Sequence, residues 1–163
     1  MDSIRPLRST DLPWATRLLD AELGGRMQAR RGELVDVLEG PALVATRAHE
    51  PVGIVSWLVD DALAIAEVRV LLVTALARGQ GVGRMLIDAA ADALREADVR
   101  QAWLVTTNDN LAAQALYQKA GWRLAALRPG AIDELRRAVK PSIPVLGEHG
   151  IPLRDELELS KEL

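Results

Sequence analysis

One stretch constrains this chain more than any other: Arg78-Gly79-Gln80-Gly81-Val82-Gly83. Ahead of it, Ala64 to Val73 is an apolar run with the length and composition of a buried strand. Behind it, Val82, Met85, Leu86, Ala89, Ala90, Ala93 and Leu94 follow the three-and-four spacing of one helix face. A glycine-rich turn between strand and helix leaves no side chains in front of the backbone amides. The first N–H groups of a helix lack intrahelical partners, and the macrodipole adds partial positive charge there. A phosphate or pyrophosphate suits such a place, and Arg78 could add a cation at its rim. Two phosphate signatures are excluded. No Lys-Ser or Lys-Thr follows, as a Walker loop needs, and Arg84 stands where a dinucleotide fingerprint needs its last glycine. What remains is Arg-x-x-Gly-x-Gly; the alternative is a plain strand-to-helix turn.

The 163 residues suit one domain with a full core, so 1–163 is expected to be a single unit without a linker. A net charge of −3 gives no basic field for nucleic acid. Without cysteine there is no disulfide framework, thiolate nucleophile or thiolate zinc site, and no metal is expected. No run approaches a membrane span, and Met1-Asp2-Ser3-Ile4-Arg5 lacks a secretory pattern, so no membrane partner and a cytoplasmic location are expected.

In chain order, Ser3 to Arg8 reads as a first strand. Thr10 is placed to cap a helix running to about Leu23, closed by Gly24-Gly25. Arg26 to Gly32 reads as a solvated basic loop, or as an acceptor-side loop for an acidic group through Arg26, Arg30 and Arg31. Glu33 to Leu38 is expected to be a second short helix. Ala42–Thr46, Val52–Val59 and Ala64–Val73 read as an antiparallel meander, with His49 in its first turn. After the glycine loop and its helix come a parallel strand at Arg100–Thr106, a helix at Leu111–Ala120 and a strand at Trp122–Leu127. Ala131–Val139 could form one more helix, Lys140–Gly150 a loop, and Asp155–Leu159 the last strand.

Two motifs carry a family resemblance. Val73-Thr-Ala-Leu-Ala-Arg78-Gly79-Gln80-Gly81-Val82-Gly83 resembles the coenzyme A pyrophosphate loop of the GNAT (Gcn5-related N-acetyltransferase) superfamily, with Ala75 where proline is usual. Asn110-Leu-Ala-Ala113-Gln-Ala-Leu116-Tyr117, followed by Gly121-Trp122, resembles the superfamily's second motif. The resemblance implies an α/β (α+β) GNAT fold: a mixed central sheet of about seven strands with a splayed central pair, flanked by about four helices.

It also implies acetyl-CoA as co-substrate and transfer of the acetyl group to a primary amine of a small molecule or peptide. A non-catalytic acyl-CoA-binding regulatory module is the alternative. By the same resemblance, Arg78, Gly79, Gln80, Gly81, Val82, Gly83 and Arg84 hold the pyrophosphate. Leu71, Leu72 and Val73 pair with the pantetheine arm as an added strand would, and Asn110 bonds that arm. Tyr117 is the expected general acid near the thioester sulfur, against a packing role. Glu67 is the expected base, against an ion pair with Arg69. The insert at 129–152 is atypical. It reads as a lid over the acceptor with Glu148 and His149 as contacts, His149 also being a potential base, or as a surface or dimer element. The resemblance leaves a homodimer open.

Overall fold

A computed structural model describes residues 2–163; Met1, the first residue of the expected domain, lies outside them. The chain divides into two compact units. The first runs to Arg26 and includes Asp36–Ala102 and Glu162–Leu163; the second comprises Met27–Val35 and Trp103–Lys161. With seven strands in a mixed main sheet and four α-helices, the architecture is the α/β class expected.

In the first unit, β1 (Asp2–Pro6), β4 (Ala42–Arg47), β5 (Glu50–Asp60) and β6 (Ile65–Val73) are antiparallel neighbours in that order. The turn joining β4 to β5 places Ala48 and His49 at φ 48° and 71°, and His49 is exposed, as expected of a turn residue. Two helices cover the two faces. Ala15 and Leu19 of α1 (Leu12–Leu23) pack with Val44, Ile54 and Val70. Next to Ile54, Gly53 faces the other way. A Cβ there would lie 2.9 Å from Leu86 and 3.3 Å from Val82 of α2 (Val82–Glu96). The missing side chain lets α2 seat directly on β5.

Thr10 does not cap α1. Ser9–Asp11 form a 3-10 turn, and Asp11 accepts the Arg8 N–H at 2.8 Å. Its carboxylate also takes two bonds from Arg5, at 2.6 and 2.9 Å. These bonds hold the Asp11 carboxyl below the usual carboxylate range. A charge-assisted pair with Arg5 outcompetes a neutral hydroxyl cap.

The expected solvated loop and short helix at 26–38 are instead a hairpin. β2 (Met27–Arg30) and β3 (Glu33–Asp36) form a separate two-stranded sheet. Arg31 and Gly32 join them with φ of 48° and 80°, the left-handed pair that matches the twist of a tight hairpin. A helix was disfavoured because six residues are too few to repay helix nucleation. Beyond the hairpin, Val37 and Leu38 leave for the core beside α1.

In the second unit the strand order is β7 (Gln101–Thr107), β9 (Glu156–Glu162), β8 (Arg123–Arg128), with β8 antiparallel to β9. α3 (Leu111–Lys119) ends before Gly121, whose φ of 85° suits the reversal of the chain. The atypical insert carries the expected helix as α4 (Ala131–Ala138). Ile132 and Leu135 pack against Leu153, with Ala29, Val139 and Ile143 around them. Arg136 ties the segment together by donating to the carbonyls of Ile143, Pro144 and Leu153 at 2.7–2.9 Å.

The tight seat of α2 is directly testable. Gly53→Val forces two extra methyls and a Cβ against Leu86 and the Leu72 carbonyl. Overpacking of this kind is expected to remove about 1–3 kcal/mol of stability in urea unfolding. An unchanged midpoint would mean that the helix can shift at no cost.

Candidate active site

β6 ends at Val73, where the Thr74 N–H bonds back to the Val52 carbonyl at 2.9 Å. A 3-10 turn, Ala75–Ala77, then leads into Arg78. Gly79 and Gly81 both take left-handed backbone, at φ 72° and 85°, and a Cβ on either would meet nothing within 4 Å. The loop surface is therefore open. Gly81 caps α2 without a side-chain hydrogen bond, and no acid lies in the first turn. A helix of 15 residues thus starts with its positive dipole end uncompensated by a local carboxylate. Buried Val82 pins this start to the sheet.

The side chains of the loop turn to other partners and leave the amides uncovered. Gln80 donates to the Leu76 carbonyl at 2.8 Å and accepts from Arg47 at 2.6 Å. Arg78 donates to the Val73 carbonyl at 2.9 Å and pairs with Glu22. Arg84 pairs with Asp88 one turn along. The residues present fit a pyrophosphate held mainly by backbone.

Glu67 lies on the same strand as Leu71, Leu72 and Val73 and is buried. A bulge disturbs the register here. Ser56 opposes Val70 and Trp57 opposes Val68, which leaves Arg69 as the extra residue. Arg69 bonds Glu67 at 3.2 Å, Glu39 at 2.8 Å and the Asp36 carbonyl at 3.0 Å. The ion pair weighed from the sequence is present.

In the second unit, α3 positions two expected residues. Asn110 accepts the Ala113 N–H at 3.2 Å and so caps the helix. Tyr117 is buried, its ring centroid 6.2 Å from that of Trp122. Burial alone pushes its pKa well above the ordinary phenol value. The hydroxyl keeps its proton at neutral pH.

Asn108 and Asp109, beside the motif residue Asn110, clamp the insert. Asn108 accepts from the N–H groups of Arg154 and Asp155 at 3.0 Å and donates to the Pro152 carbonyl at 2.9 Å. Buried Asp109 accepts the Glu148 N–H at 2.9 Å. A Cβ on Gly147 would fall 2.2 Å from the same carboxylate, so only glycine fits. Glu148 and His149 themselves are exposed, and His149 has φ 58°.

The second unit also holds a cleft of about 470 Å³, lined by Arg31, Arg128, Glu134, Leu135, Val139 and Glu156 among others. Sequence reading missed Arg128 and Glu156. They meet through the register of β8 and β9, which sets Arg128 opposite Glu156.

Among known proteins, the model of the acetyltransferase (GNAT) family matches residues 4–122. The chain is 38% identical over 115 residues to the uncharacterized protein YxbD of Bacillus subtilis, covering 71% of this chain and 69% of that one. The fold is that of the IAA acetyltransferase from Bacillus cereus, with a TM-score of 0.78, 23% identity and full coverage of both chains (100%). A GNAT family acetyltransferase from Elizabethkingia anophelis, solved with acetyl-CoA bound, gives a TM-score of 0.75 at 20% identity, covering 99% and 98%. No helix among the described residues is long and apolar enough to cross a membrane.

Tyr117 is the chain's one tyrosine, so its ionisation can be followed by ultraviolet absorbance. Its folded pKa lies above the ordinary 10.0, so the unfolded chain releases the proton first. The stability this carries is complete below pH 10.0 and is lost as pH rises through the folded value. The tyrosinate band should therefore appear together with alkaline unfolding. A normal phenol titration in the native protein would contradict the burial.

Proposed function

The chain belongs to the acetyltransferase (GNAT) family, and we propose that it transfers an acetyl group from acetyl-CoA directly to a primary amine of a small molecule or peptide. The observation that carries the reading is the start of α2, free of any side-chain cap or first-turn acid, behind two left-handed, uncovered glycines, within the stretch the family model matches. Amides from Gln80 to Arg84 hold the pyrophosphate, with Arg78 at the rim. Backbone groups of Leu71 to Val73 pair with the pantetheine arm, and Asn110 bonds it. Nothing in the structure favours a non-catalytic binding module.

The chemistry assigned to the chain's residues is short. The amine nitrogen attacks the acetyl carbonyl, and the N–H of Val73 stabilises the oxyanion. The C–S bond breaks and the departing thiolate takes the proton of Tyr117, which burial keeps in place until then; the nitrogen, now bonded to the acetyl carbon, gives up its extra proton, which restores that of Tyr117 directly or through water. Glu67, its carboxylate fixed by Arg69, receives the proton of the substrate ammonium directly or through water. The main support for Tyr117 is its place in the second motif; the main support for Glu67 is its burial on the strand that leads to Val73.

Two variants separate binding from chemistry. Gly81→Val places a β-branched side chain at φ 85°, and its apo melting temperature reports any loss of fold. Coenzyme A should raise the melting temperature of the parent protein but not of this variant. Failure to protect the parent would overturn the reading. Tyr117→Phe should lower kcat about 100-fold, within the usual range for general acid catalysis, with the KM for acetyl-CoA little changed. Unaltered turnover would remove Tyr117 from the mechanism.

A further inference from the structure

The cleft of the second unit is framed by an ion network whose centre is hidden. Glu156 is 2% exposed. One of its oxygens accepts from Arg128 Nε at 2.7 Å, and the other accepts the backbone N–H of Arg31 at 3.0 Å. Arg128 also donates to Glu158 at 2.7 Å. Both carboxylates are thereby answered. Glu134, on α4 at the mouth, is exposed and faces Arg137 at 3.9 Å. Arg30 lies over the Trp103 ring at 5.8 Å.

Arg31 differs from these. It sits at φ 48°, a backbone that non-glycine residues adopt rarely, held there by Glu156 through its main chain. Its guanidinium lies over Trp103 at 4.4 Å and is about half exposed, at 47%. Its ion pair to Glu158 is long, 3.8 Å at Nε, and its terminal nitrogens make no hydrogen bond among the described residues. A guanidinium held over an aromatic ring with its terminal nitrogens unbonded keeps N–H groups available, and a guanidinium edge matches a carboxylate bidentately.

We propose that Arg31 is a specificity-determining residue that binds a carboxylate of the acceptor, so that the preferred amine is one carrying an acid group at its other end. The inference rests on the acetyl-transfer reading above. The cleft has the size of a small-molecule site. Leu135, Val139, Ala131 and Ala138 give it an apolar wall for a short carbon chain between the two ends. The substrate class is therefore an amino acid, an aminoalkanoate or the acidic end of a short peptide.

The test compares acids with their amides. β-Alanine, 4-aminobutyrate, L-glutamate and glycylglycine are each assayed beside the corresponding carboxamide, by thiol release from acetyl-CoA and by calorimetric titration into the protein. The parent should prefer at least one acid over its amide by tenfold or more in kcat/KM. Arg31→Asn retains a residue that tolerates left-handed backbone, so the hairpin survives. It should abolish the preference while leaving the KM for acetyl-CoA unchanged. Arg31→Lys keeps the charge but loses the fork and should restore only part of the preference. Equal use of acid and amide, or a preference that persists in Arg31→Asn, overturns the proposal. If no amine is acetylated, the activity reading fails separately. Titration then decides for Arg31: acids binding tenfold more tightly than amides, only when Arg31 is present, supports it, and the absence of such binding rejects it.

Discussion

The first unit depends on how closely α2 approaches β5. A helix normally stands off a sheet by the depth of two side-chain layers. At Gly53 one layer is absent, and Leu86 and Val82 fill the space against the strand backbone. That contact sets the height and rotation of the helix, and hence the place of its first turn. The glycine loop has little freedom once both its ends are fixed, by Thr74 bonded to Val52 and by Val82 buried. The anion site proposed at this loop is made of backbone, and such a site must be positioned by packing, because it has no long side chains to adjust.

In the second unit, the insert is held largely by polar contacts. The apolar cluster beneath it is small, built around Ile132, Leu135 and Leu153. Arg136, Asn108, Asp109 and Glu156 supply what such a cluster cannot, which is a defined path for a long irregular segment. Buried polar groups are costly unless satisfied. Here Glu156 and Asp109 are satisfied largely by N–H groups and arginines that belong to the segments they hold. The atypical insert is therefore a built part of the unit.

Much of the fold could be read from the sequence where its signals are local. The change from strand run to helical spacing at Gly79 and Gly81 in the first unit, and the helix that starts at Leu111 and ends before Gly121 in the second, each lie within a few residues of their cause. The misses have non-local causes. The hairpin at 27–36 turns on Arg31, which carries no turn signature and owes its conformation to Glu156, 125 residues away. Thr10 lost its cap role to an ion pair between Asp11 and Arg5. Arg128 meets Glu156 across 28 residues, through a strand register that composition does not report.

The clamp at Asn108 and Asp109 grips its target almost entirely through main-chain groups: the amides of Glu148, Arg154 and Asp155 and the carbonyl of Pro152. Such a grip is indifferent to most of the side chains on the segment it holds, with Gly147 the exception. Mutation can thus rewrite most of that segment's outward chemistry while its anchorage stays put. The outer surface of this stretch can drift without first surrendering the architecture beneath it.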